Sequence, residues 1–201
     1  MTLKMKQSIL MGALTLPLPA FGQSECLTQA DLSNGIAVTL DSGAIEIYRR
    51  DPNDGDLVIV EGSGEAGPNY RLVLARGILV QLFETVDETQ TAMNVSTRYA
   101  YPVLPREVPV PSPQSEWAVA AVRSDSEGDH PEDQVLQSGA LIPLAIGGCS
   151  YDTFPVTVTY GSDYTEEITY LPELGFGYLH WYQNRGGDKI TVNLVSLERA
   201  D

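Results

Sequence analysis

The chain is predicted to be mainly β: a strongly curved antiparallel sheet, a half-barrel or open barrel, built from meandering hairpins. Three observations lead there. Short β-favouring runs alternate with turns rich in Gly, Asp and Pro along most of the length. Apolar residues recur at every second position, at Ile45 and Ile47, at Leu72 and Leu74, along Phe154, Val156, Val158 and Tyr160, and along Ile190, Val192 and Leu194, which marks one packed face. The composition, 43% hydrophobic and 8% aromatic over 201 residues, is that of a chain that folds.

Residues 1–22 read as an export signal rather than as structure. Lys4 and Lys6 supply a positive start, residues 9–18 an apolar stretch of secretory length, and Ala20-Phe21-Gly22 a small-x-small cleavage site. Cleavage is expected after Gly22, leaving 23–201 as one β domain in the periplasm or secreted. Gln23-Ser24-Glu25 before Cys26 is unlike the run that lipoprotein processing takes. No later window reaches about 18 uninterrupted apolar residues, so no transmembrane helix is expected. Lys plus Arg is 12 against 27 for Asp plus Glu, a formal charge of -15, which opposes nucleic-acid binding because a backbone reader needs a cationic footprint. Lys189 is the only lysine beyond the signal.

Cys26 and Cys149 are the two cysteines, and in an oxidising compartment such a pair reads first as a disulfide. A separation of 123 residues gives a chain-entropy stabilisation of about 4–5 kcal/mol. Neither cysteine has a neighbouring His or basic residue to hold a reactive thiolate.

Strands are expected at 36–40, 44–49, 57–61, 70–75 and 78–85, with Ile45 and Ile47 on the packed face. Residues 87–95 read as either a short helix or a strand, because Val86, Thr89, Gln90 and Met93 fall near helical spacing while the threonines favour strand. Prolines 102, 105, 109, 111 and 113 forbid a central strand and make 102–113 an extended crossing segment, read as a rigid connection between halves. A strand at 116–123 precedes an acidic loop at 124–133. The run 141–146 then leads to the clearest strands, 155–160, 166–171, 176–183 and 189–197. Between them, Pro172 ends one strand for want of a donor, and Gly175 can take positive φ before Phe176 re-enters the sheet.

The stretch Phe154-Pro155-Val156-Thr157-Val158, the run from Glu167 through Pro172-Glu173-Leu174-Gly175-Phe176-Gly177-Tyr178, and Val192-Asn193-Leu194-Val195-Ser196-Leu197 resemble the closing strands of bacterial periplasmic curved-sheet domains related in shape to lipoprotein carriers. The resemblance covers about the last 50 residues. It implies a bent antiparallel sheet closing over an apolar cavity and says nothing of chemistry.

Catalytic machinery is sparse. The two histidines, His130 and His180, lie far apart, and no Gly-x-Ser-x-Gly elbow occurs. Glu166, Glu167 and Glu173 are the carboxylates near the aromatic residues that glycan chemistry would use, but adjacent strand residues point to opposite faces, so Glu166 and Glu167 should not converge. Asp51, Asn53, Asp54 and Asp56 alternate oxygens as a calcium loop does, without its distal Glu, since position 62 is Gly. His130 with Asp125, Asp129, Glu132 and Asp133 is a second weak cation candidate that matches no known spacing. No cofactor is expected. The functional expectation is a non-catalytic binder of an apolar molecule or an envelope protein, with Val156, Val158, Phe176, Tyr178, His180, Trp181, Tyr182 and Val192 as the ligand set. A structural or protein-interaction module with a filled core is its competitor.

Overall fold

The structure is a computed structural model that describes residues 26–64, 67–86, 95–161 and 164–200. The readings made of residues 1–22 and of 87–94 lie outside them. The described chain forms β1 (Ile36–Leu40), β2 (Ile45–Arg50), β3 (Leu57–Gly64), β4 (Gly67–Ala75), β5 (Leu79–Val86), β6 (Ser96–Ala100), β7 (Glu116–Asp125), β8 (Gly128–Ser138), β9 (Ile142–Ile146), β10 (Cys149–Tyr160), β11 (Tyr164–Leu171), β12 (Phe176–Asn184), β13 (Ile190–Thr191) and β14 (Leu194–Arg199). Helical turns among the described residues are two 3-10 segments, Gln29–Ser33 and Pro105–Glu107. None of their helices is long and apolar enough to cross a membrane.

All fourteen strands belong to one antiparallel sheet, in the order β13-β12-β11-β10-β8-β7-β6-β5-β4-β3-β2-β1-β14, with β9 branching from β10. The expected half-barrel or open barrel does not form: the hydrogen-bonded path is open, its end strands β13 and β14 do not pair, and the sheet is not strongly curled. The physical reason lies at Val192 and Asn193. The Val192 N–H donates to the His180 carbonyl at 2.7 Å, whereas the Asp41 N–H donates to the Asn193 carbonyl at 2.9 Å. Residues 189–197, expected as one strand, therefore serve β12 with their first part and β1 with their second.

Two buried clusters follow from the alternation. Leu32, Ile36, Val38, Tyr48, Val60, Leu171 and Phe176 form the first; Leu79, Val108, Phe154, Val156, Val158 and Tyr170 belong to the second. The first joins strands distant in the sheet order, since the Tyr48 ring of β2 stacks on Phe176 of β12 with centroids 4.1 Å apart. The turn between β4 and β5 makes another such contact. Gly77 has φ +67°, and a Cβ there would lie 2.3 Å from the Gly175 carbonyl oxygen, so only glycine lets this turn sit against β12. The Gly177 N–H donates to the Gly77 carbonyl at 3.0 Å. Gly175 itself takes φ +75°, as its turn position suggested.

Three sequence expectations are corrected. On β2 the packed face carries Glu46 and Tyr48, not Ile45 and Ile47: Glu46 is 5% exposed and Ile45 44%. The Tyr48 stack offers more buried area than an isoleucine there, and hydroxyl donors make the carboxylate tolerable inside. The acidic segment 124–133 is the end of β7 and half of β8, paired from Asp125↔Gly128 to Ala120↔Asp133. The inward residues Glu132 and Gln134 of β8 are polar, which hid the alternation. Pro131 is accommodated because β10 pairs only with residues 134–138 of β8, leaving no donor required at position 131 on that side. Strand β6 was not anticipated, and the proline segment joins it to its hydrogen-bonded neighbour β7. Val108 from that segment is buried in the second cluster, while the Arg76 guanidinium donates to the carbonyls of Arg106 at 2.5 Å and Val108 at 3.4 Å.

The disulfide forms as expected between Cys26 and Cys149, with Cα atoms 5.6 Å apart. It ties the start of the described chain to β10 beside the first cluster, where the Leu27 N–H donates to the Tyr151 hydroxyl at 3.0 Å.

Candidate functional site

A cavity of about 540 Å³ lies between the β2–β4–β5 side of the sheet and β11–β12. Its walls are apolar and aromatic: Leu72, Leu74, Ile78, Val80, Phe83, Ile168 and Leu179, with the rings of Tyr48, Tyr70, Tyr164 and Tyr182. Among the described residues its two charged lining residues are Glu46 and Glu166, and no basic side chain lines it.

Each carboxylate is held by two tyrosine hydroxyls, one of them two residues away on its own strand. Side chains at i and i+2 of a strand share a face, so Glu46 with Tyr48 and Tyr164 with Glu166 are brought together by the β geometry alone. Tyr48 donates to Glu46 Oε2 at 2.6 Å, and Tyr70 donates to Oε1. Tyr160 donates to Glu166 Oε1 at 2.6 Å, and Tyr164 to Oε2 at 3.0 Å. All four carboxylate oxygens are thus hydrogen-bonded, and each keeps a further lone pair.

Tyr70 reaches Glu46 across an intervening strand. Glu46 is paired with Gly62 on β3, and Gly62 with Tyr70 on β4, so the three residues stand in one row. The Tyr70 ring lies over Gly62, where a Cβ would fall 2.1 Å from its Cζ. The missing side chain is the space the ring occupies.

Two bulges set which residues line the cavity. On β12, Leu179 is opposite Ile168 and Trp181 opposite Glu167, so His180 is the extra residue. The phase shift turns Tyr182 toward the cavity after Gly177 and Leu179, and turns Trp181 away to carry the Lys189 ammonium 3.9 Å from its ring centroid. On β5, Val80 is opposite Leu74 and Leu82 opposite Val73, so Gln81 is extra and Phe83 and Thr85 join Val80 on the cavity side.

Burial, and then the adjacent Glu46 charge, pushes the Tyr48 and Tyr70 hydroxyls well above the ordinary tyrosine range. Burial followed by the Glu166 charge does the same for Tyr160 and Tyr164. These hydroxyls stay protonated and act as donors. Burial raises the Glu166 carboxyl above its ordinary value, opposed by the Tyr160 and Tyr164 hydrogen bonds. Among the described residues, no ion pair includes Glu46 or Glu166.

Of the residues singled out from sequence, Glu166 and Tyr182 line the cavity. Val156 and Val158 are packed in the second cluster, and Phe176 and Tyr178 in the first, with Val192 against it. His180 Nδ1 lies 3.0 Å from the Val192 carbonyl oxygen. The expected inward set is therefore core, and the open volume lies beside it. Glu166 and Glu167 do point apart, as strand geometry requires, and Glu173 lies in the β11–β12 turn near the Asp152 N–H. Sequence reading missed Glu46, Tyr48, Tyr70 and Phe83. The available signal was the mirrored pair Glu46-Ile47-Tyr48 and Tyr164-Thr165-Glu166.

The two weak cation candidates resolve differently. Asp51 Oδ1 accepts from the Asn53 N–H at 2.8 Å and Asp54 Oδ1 from the Asp56 N–H at 3.0 Å, which are turn bonds, while Asp56 pairs with Arg76. Asp125, Glu127 and His130 do gather, with one ligand atom each within 4.8 Å of the others. Asp129, Glu132 and Asp133 do not belong to that group. The Asp125 carboxylate already faces Arg123 Nε at 3.1 Å and His130 Nε2 at 3.8 Å.

No family model, no curated protein and no solved structure matches the chain significantly.

Proposed function

We propose that the chain is an exported, non-catalytic protein that binds an apolar small molecule in the cavity between β2, β4, β5, β11 and β12. The observation that carries this reading is the cavity itself: about 540 Å³, within the range of small-molecule sites, walled by Leu, Ile, Val, Phe and Tyr with two convergent polar groups. Export to the periplasm or medium is supported by the signal-like residues 1–22 and by the Cys26–Cys149 disulfide, which belongs to an oxidising compartment. A glycan-active enzyme is less well supported, because a sugar needs many polar wall groups and these walls supply few.

The test is a fluorescence titration with N-phenyl-1-naphthylamine, a neutral apolar probe that brightens out of water. Saturable one-to-one binding to the wild type, abolished by the cavity-filling Leu72→Trp in a variant that unfolds cooperatively, supports the reading. Equal binding by the two proteins contradicts it.

A further inference from the structure

The geometry points to an organic cation as the cavity's ligand: an apolar or aromatic molecule bearing a protonated amine, seated between Glu46 and Glu166. This deepens the binding reading above and rests on it. Four observations carry it together. Among the described residues the cavity has two carboxylates in its lining and no Lys, Arg or His, so the field inside it is negative. Neither carboxylate has a cationic partner among the described residues, although both are withdrawn from bulk water. The hydroxyls of Tyr48, Tyr70, Tyr160 and Tyr164 satisfy the oxygens geometrically but bring no positive charge, and one lone pair on each oxygen remains for an ammonium N–H. The rings of Tyr48, Tyr70, Phe83, Tyr164 and Tyr182 stand among the aliphatic walls, and aromatic faces favour a cation over a neutral group of the same size. An anionic ligand such as a fatty acid would meet two like charges with no cationic side chain among the described lining residues to offset them.

The experiment is displacement of N-phenyl-1-naphthylamine from the wild-type chain by three molecules of matched shape: 4-phenylbutylamine, protonated at neutral pH; 4-phenylbutanol, neutral; and 4-phenylbutyrate, anionic. The expected result is that the amine competes on the order of tenfold more strongly than the alcohol, with the carboxylate weakest. Glu46→Gln and Glu166→Gln should each remove most of the amine's advantage over the alcohol, read as the ratio of the two within each variant; the amide oxygen accepts from one tyrosine and its NH2 donates to the hydroxyl oxygen of the other. Equal displacement by amine and alcohol would overturn the cation assignment and leave the cavity reading standing. Stronger displacement by the carboxylate would do the same. Failure of all three to displace a probe whose binding also ignores Leu72→Trp would overturn both. The charge series on the wild type does not depend on any variant folding.

Discussion

Glu46 and Glu166 are held by equal numbers of tyrosines but in different ways. The Glu166 set is local: Tyr160, Tyr164 and Glu166 lie on the two strands of one hairpin, within seven residues of sequence, and register alone assembles them. The Glu46 set spans three strands, and its far partner Tyr70 reaches across only because position 62 has no side chain. The Glu46 set is also coupled to the disulfide, because Tyr48 belongs to the cluster that contains Leu27 and Leu32 and packs against Cys149, whereas Tyr160 belongs to the other cluster. One carboxylate is positioned by long-range packing, the other by local strand geometry. Perturbations should therefore separate them.

The largest effect expected is from the disulfide. Replacing Cys26 and Cys149 by serine should lower stability by about 4 kcal/mol. Hydrogen exchange should quicken in β1–β3 more than in β10–β11; equal quickening would show that the two sets share one cooperative unit. Next comes Gly62→Ala, whose new methyl collides with the Tyr70 ring and should destabilise by about 2–3 kcal/mol, read by urea unfolding. The Tyr70 ring resonances should move while those of Tyr160 and Tyr164 stay in place.

Removing single hydroxyls gives smaller changes. Tyr48→Phe keeps the stack on Phe176 and loses only the bond to the buried Glu46, so about 1.5–3 kcal/mol is expected. Tyr164→Phe, at the half-buried end of the local set with the longer 3.0 Å bond, should lose less, and an equal loss would erase the distinction between the sets. The smallest effect is one of pH. Because burial raises the Glu166 carboxyl in the folded chain, the folded state binds its proton more readily than the unfolded state. Its contribution to stability is complete below the ordinary glutamate range and is lost as pH rises through the folded value. Glu166→Gln should therefore match the wild type best near about pH 4 and gain on it as pH approaches about 7, followed by thermal melts. A constant difference would contradict the desolvated carboxylate.

Much of the fold was legible in the sequence, for identifiable reasons. Strands such as β1 and β10 announce themselves because apolar side chains occupy every inward position, and the cysteine pair needs only an oxidising compartment to become a crosslink. The same logic misread β2, where the apolar Ile45 and Ile47 face outward and a carboxylate faces in. Polar inward residues hid β8 for the same reason: Glu132 and Gln134 look like loop residues until Tyr101 is seen 2.9 Å from the Gln134 side chain. The cavity set was half legible, since Glu-x-Tyr and Tyr-x-Glu fix two same-face pairs without any structure. Three features needed the three-dimensional structure: the role of Gly62, the bulge at His180 that exchanges Trp181 for Tyr182, and the placing of the two carboxylates in the lining of one cavity.

If a ligand enters between the two tyrosine–glutamate sets, the rings around it must sense its arrival. The most direct test is carbon-detected NMR of the chain labelled at the ring carbons of its ten tyrosines, with 4-phenylbutylamine added stepwise. Saturable shifts of Tyr48, Tyr70, Tyr164 and Tyr182 are expected, with Tyr151 beside the disulfide unmoved. Shifts at Tyr151 or Tyr99 with the four cavity rings unchanged would contradict entry there.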